Sequence, residues 1–183
     1  MADEQKGRGK WSPDDVKKHV AKIQEIVEGQ KKKQKQKGEN FTSVTPEEVE
    51  KKLRRVNSPM TVWQSWTSST SPGGTITYSV GIYNPDPTQA IWTFVHVWVG
   101  SGNIDPVVGT YLSNVDARFP RLTEPDFAGL NIPSLGSASL TFTLAVPAAV
   151  EKSNYIGNSC LMQFNWHDVG TYYDRGVFVF KVA

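Results

Sequence analysis

The residues best equipped for chemistry lie late in the chain. Cys160, His167 and Asp168 bring a thiol, an imidazole and a carboxylate into one short stretch, the ingredients of nucleophilic catalysis. Their spacing works against it, because along one strand Cys160 and His167 have opposite parity and point to opposite faces. Cys160 reads better as a buried structural thiol. The segment WHDVGTYYDRG gathers Trp166, His167, Asp168, Tyr172, Tyr173, Asp174 and Arg175 in what reads as a hairpin loop. Ligand contact and plain turn chemistry with an Asp174–Arg175 ion pair both account for it. The remaining histidines, His19 and His96, are far apart, and metal-ligand spacing is absent. So are a phosphate loop, a nucleophile elbow and a dinucleotide fingerprint. The expectation is no enzyme, with no catalytic residue, metal ligand or cofactor.

Binding chemistry has a better candidate. In IWTFVHVWV, one strand face holds Ile91, Thr93, Val95, Val97 and Val99, and the other holds Trp92, Phe94, His96 and Trp98. A strand apolar on both sides is covered on both, or exposes a patch meant to be covered. The cover for Trp92, Phe94, His96 and Trp98 could be a long loop, the N-terminal helices, a second subunit or a flat sugar ring.

The elements that position these residues follow from periodicity. Ile76, Tyr78, Val80 and Ile82 alternate with polar or small residues, and so do Leu140, Phe142, Leu144 and Val146. Further strands are expected at 61–67, 91–99, 160–167 and 177–182, separated by turn-rich pieces such as SPGG and NPDP. Residues 100–136 read as a long loop with apolar content, folded over the body. Strands without crossover helices over residues 58–183 predict an all-β antiparallel immunoglobulin-like sandwich.

The stretches TITYSVGIYNPDPTQAIWTFVHVWVG and GSASLTFTLAVPAA give this body a resemblance to CARDB-type accessory modules, the cell-adhesion-related β-sandwiches of bacteria and archaea. The likeness is a strand ending in asparagine, a second ending in Val-Gly, and a glycine-led strand ending in Val-Pro-Ala. It implies a non-catalytic binding or spacer module and transfers no site residue. The long 100–136 segment and the high aromatic content depart from that pattern.

Residues 1–57 differ in kind. They carry fifteen Lys and Arg against ten Asp and Glu, leaving five and eight of the chain's 20 and 18 for the rest. SPDDVKKHV (12–20) and TPEEVEKKL (45–53) repeat one formula: hydroxyl cap, proline at the first helical position, then acids at the positive helix end. Two helices are expected, at about 13–28 and 46–56, with apolar stripes of Val16, Val20, Ile23 and Val27 and of Val49, Leu53 and Val56. Neither is stable alone, so each stripe needs a surface. Between them, residues 29–40 read as a solvated Lys/Gln linker, with Lys31, Lys32, Lys33, Lys35 and Lys37 available to nucleic-acid phosphates or an acidic surface.

No membrane span and no cleavable signal are evident, which points to a cytoplasmic protein or one exported without such a signal. The leading expectation is a non-catalytic interaction or structural protein whose N-terminal helices tether it to a protein partner or drive self-association. A small coat-like protein packaging nucleic acid with a basic arm is one alternative. A carbohydrate-binding module is another.

Overall fold

Ser12 and Thr45 both cap helices. The Ser12 hydroxyl accepts from the Asp15 amide at 3.1 Å and donates to the Asp15 carboxylate at 2.7 Å. Thr45 forms the full reciprocal box with Glu48: the Glu48 amide donates to Thr45 Oγ1 at 3.2 Å, and the Thr45 amide donates to the Glu48 carboxylate at 2.8 Å. Helix α1 spans Pro13–Gln36 and helix α2 spans Pro46–Val56.

This computed structural model describes residues 11–56, 59–87, 90–99, 130–166 and 170–183, with only the backbone described at 55–56, 92–99, 130, 144, 153–166 and 170–179. The strands are β1 (Asn40–Ser43), β2 (Met60–Trp66), β3 (Ser69–Thr70), β4 (Thr75–Tyr83), β5 (Ile91–Val99), β6 (Leu130–Ile132), β7 (Ser137–Ala145), β8 (Ser153–Trp166) and β9 (Gly170–Val182). A four-stranded antiparallel sheet has the order β1-β2-β4-β7, and a five-stranded sheet the order β3-β9-β8-β5-β6. In the second sheet only the two-residue β3–β9 contact is parallel.

The helices are part of this body. Ile23 and Val27 of α1 and Val49 and Leu53 of α2 form one buried cluster with Met60, Val62, Trp63 and Tyr83 of β2 and β4, flanked by Val20, Ile26, Phe41 and Val44. On the sheet's other face, Ile76, Tyr78, Val80 and Ile82 are fully buried, as are Ile91 and Ile132 of the five-stranded sheet. The chain is therefore a mixed helix-and-strand protein, and the expected all-β antiparallel immunoglobulin-like sandwich with a separate helical arm is corrected. The apolar stripes need a surface, and the four-stranded sheet supplies it.

A bulge sets the helix-facing surface. The register of β2 on β4 runs Met60 opposite Tyr83 and Thr61 opposite Ile82, then jumps to Trp63 opposite Gly81. The extra residue puts Met60 and Trp63 on one face with Tyr83. Trp63 lies across Gly81, where an added Cβ would collide with its indole, and stacks on Phe41 at 6.0 Å between ring centroids.

The Lys/Gln linker is also corrected. Helix α1 continues through Gln36, because Lys and Gln are good helix formers and the single Gly29 costs only about 1 kcal/mol against alanine. It ends at Gly38, which takes φ +70°. The Gly38 amide bonds Lys35 O and the Glu39 amide bonds Gln34 O, a Schellman closure.

If the helices share the core, Ile23→Ala lowers the stability of the whole chain by about 2–5 kcal/mol in a single cooperative transition. Chemical denaturation followed by tryptophan fluorescence and far-ultraviolet circular dichroism checks this. A helical loss that leaves the fluorescence midpoint in place would return α1 to the status of an appendage.

Candidate functional site

Two polar constellations stand out among the described residues, and both lie on or beside α1. The first joins α1 to the end of β4 and to the turn before β7. His19 Nδ1 and the Tyr83 hydroxyl share a 2.8 Å hydrogen bond across 64 positions of sequence. The Trp11 ring stands edge-on to His19, with centroids 4.0 Å apart. One helical turn along, the Lys22 ammonium donates to Leu135 O at 2.6 Å and lies 5.5 Å from the centre of the Tyr83 ring.

The turn it grips is held from below as well. Asn84 donates through its side chain to Ile132 O and Pro133 O, at 3.3 and 3.2 Å. Its own carbonyl oxygen accepts from the Asp86 amide at 3.0 Å. Asp86 O in turn accepts from the Ser134 hydroxyl and the Leu135 amide. These bonds hold Leu135 at φ 54°, a left-handed conformation that a leucine adopts only under constraint.

The electrostatics run opposite to catalytic activation. Burial pushes the Tyr83 phenol up to about 12, so it stays protonated. Burial also holds the His19 imidazole below its ordinary value near 6.5, helped by Lys22 and opposed by Asp15. Asp15 itself is held low by the Ser12 hydroxyl bond, which keeps the first turn anionic. The geometry fastens three elements together, and no described side chain stands beside the pair as a nucleophile.

The second constellation is the end of α1. Lys31, Lys32, Lys33 and Lys35 are exposed on the helix, and Lys37 caps it. The same turns bury Gln34, whose side-chain oxygen has no hydrogen-bond partner among the described residues. A cleft of about 190 Å³ lies nearby, lined by Ser43, Glu48, Lys52 and Gln64 among others. A second, open one of about 340 Å³ adjoins it at Val44, Glu48, Lys51 and Lys52, within the size range of small-molecule sites.

The expected binding residues divide sharply. Val16, Ile23, Val27, Val49 and Leu53 are all buried within the chain, and Val20 packs against the same cluster. Their apolar faces are therefore consumed internally. Trp92, Phe94, His96 and Trp98 lie on β5, which pairs with β8 and, through Ile91 to Thr93, with β6; their side chains lie outside the described residues. So do the side chain of Cys160, residues 167–169 and the segment 100–129. Among the described residues no three His, Cys, Asp or Glu side chains group as metal ligands, and no helix is long and apolar enough to cross a membrane.

Sequence reasoning did not find the His19–Tyr83 pair. His19 looked like one more polar residue on a charged helix, and Tyr83 like the last residue of a strand. The available signal was their placement: His19 directly precedes Val20 on the apolar side of the helix, and Trp11 sits just outside the cap, where an aromatic commonly packs back on the first turns.

No protein family matches this chain, and no curated protein does. A solved structure described as "AvmM Catalyzes Macrocyclization in Alchivemycin A Biosynthesis" matches over 69% of this chain and 89% of its own, at 14% identity and a TM-score of 0.41. At that similarity, function must be argued from this chain's own residues.

The His19 shift fixes a pH dependence. A histidine whose folded value lies below 6.5 takes up a proton more readily when unfolded, so its contribution to stability is full above about pH 6.5 and declines as pH falls below it. The groups facing it are Asp15, Lys22 and the neutral Tyr83. Urea midpoints between about pH 8 and 5 should fall at the acid end, and the fall should shrink in His19→Gln. Equal slopes for the two proteins would show that His19 is not held neutral.

Proposed function

We propose that this chain is a non-catalytic interaction protein that engages an acidic partner through the lysine-bearing end of α1, with the layered sheets and helices serving as its rigid scaffold. One observation carries the reading. Lys31, Lys32, Lys33 and Lys35 stand on a continuous helix with Lys37 at its cap, and no acid occurs between Gly29 and Gly38.

A solvated linker with the same lysines would lose conformational freedom on binding, whereas a helix held by Ile23, Val27 and the Schellman turn has already lost it. The apolar stripes support the same view from the other side. Because they are used inside the chain, a tether through α1 has its outer, charged face to work with. The His19–Tyr83 clasp fits a scaffold role, since it locks the start of α1 to the sheet while leaving the lysine end uncovered by it.

The test is a salt series with single-stranded RNA as probe polyanion. The unaltered chain should bind with an affinity that drops steeply as salt rises. Changing Lys31, Lys32, Lys33, Lys35 and Lys37 together to Gln should flatten the log–log slope by about 3.5, at roughly 0.7 per phosphate contact. The helix should persist, because Gln is nearly as good a helix former as Lys. Binding that is absent at low salt, or unchanged in the five-residue variant, would remove this reading.

A further inference from the structure

The two sheets have four outer strands among the described residues, and three of them are short. β1 has four residues, β3 two and β6 three. Short edges are a standard protection against pairing with another chain, although β9 and β5 run on beyond β3 and β6 among the described residues, β9 carrying Asp174 and Arg175 there. The fourth, β7, has no such protection. It runs nine residues, SASLTFTLA, without a charge, a proline or a bulge, in unbroken register with β4 from Thr75 opposite Ala145 to Tyr83 opposite Ser137. A long, unbulged, uncharged edge offers a template for a further strand.

The direction of its free backbone groups follows from the ladder. At its two ends the Asn84 amide bonds Gly136 O and the Val146 amide bonds Gly74 O. Hydrogen-bonded pairs alternate along an antiparallel ladder, so the even-numbered residues of β7 bond to β4. The amides and carbonyls of Ser139, Thr141 and Thr143 therefore point away from β4, toward a side where no strand among the described residues pairs with them.

We propose that this edge pairs with the same strand of a second copy of the chain, antiparallel about Thr141, to make one continuous sheet. The strand is complementary to itself in that register. Thr141 meets its own copy, and Ser139 meets Thr143, so outward-pointing backbone groups meet their counterparts and hydroxyls lie opposite hydroxyls. On the other face Leu140, which is only partly buried, meets Phe142, extending the apolar layer between the sheets. No like charges face each other. This contact is separate from the lysine cluster, and either could exist without the other.

Light scattering after size exclusion, on the full chain up to about 0.1 mM, should give twice the mass of one chain. Thr141→Pro removes an outward amide and leaves the β4 pairing intact, and should weaken self-association by roughly tenfold or more. As a second variant, S139K/T143K places lysine opposite lysine across the pair and should be a single chain with an unchanged dichroism spectrum. Mixing it with S139E/T143E should restore a two-chain species. A single-chain mass for the unaltered protein overturns the proposal, as does an assembly that neither variant alters. Should the proline variant fail to fold, the charge pair decides.

Discussion

The structure depends on a pair of strands that cannot tolerate water on either side. β2 buries six of its seven residues, and β4 is buried without a break from Tyr78 to Tyr83. A sheet that is apolar on one face can close against one layer, whereas a sheet apolar on two needs two. The five-stranded sheet serves one face and the helix pair serves the other. From this come the position of α1, the internal use of its apolar stripe, and the outward orientation of its lysines. Full burial of residues such as Ile23 and Leu53 contributes about 1.5–3 kcal/mol apiece, so both helices, including the 11-residue α2 that would be marginal in water, become fixed parts of the body.

Local rules were legible in the sequence wherever local chemistry decides. Both helix starts were readable from hydroxyl, proline and acid, and β4 and β7 from strict alternation. The bulge in β2 was not, because alternation fails there: Val62 and Trp63 are adjacent, yet after the slip Trp63 shares a face with Met60. Without that slip the apolar residues look divided between two faces with no clear surface for a helix. The chain then reads as a sandwich with an arm. The end of α1 was misread for a different reason. Gly29 is a weak interruption that a tertiary contact can override, while Gly38 occupies the left-handed position that a closing helix needs.

The candidate site was less legible than the fold, because its partners are brought together by topology. His19 and Tyr83 meet only because α1 crosses the end of β4, and Lys22 reaches Leu135 because the turn before β7 folds under the same helix. Spacing rules work within one element and do not see such meetings. The lysines were visible as a composition, but composition does not distinguish a helix from a coil. That difference decides whether five charges form a fixed array or a floppy one.

The two proposed surfaces are related by the sheet order. β1, which follows the lysine end of α1 directly, and β7 are opposite edges of β1-β2-β4-β7. Pairing about Thr141 has its two-fold axis perpendicular to the sheet, so both helix layers fall on the same side of the combined sheet. The order then runs from β1 of one copy to β1 of the other, seven strand spacings of about 4.8 Å, which sets the two lysine clusters on the order of 30–35 Å apart. Two basic arrays facing the same way at a fixed distance would bind an extended polyanion far more tightly than one alone, since the second contact forms at high effective concentration. A long edge without charges and a charged helix end without apolar surface would then serve one purpose, the first setting the spacing at which the second acts.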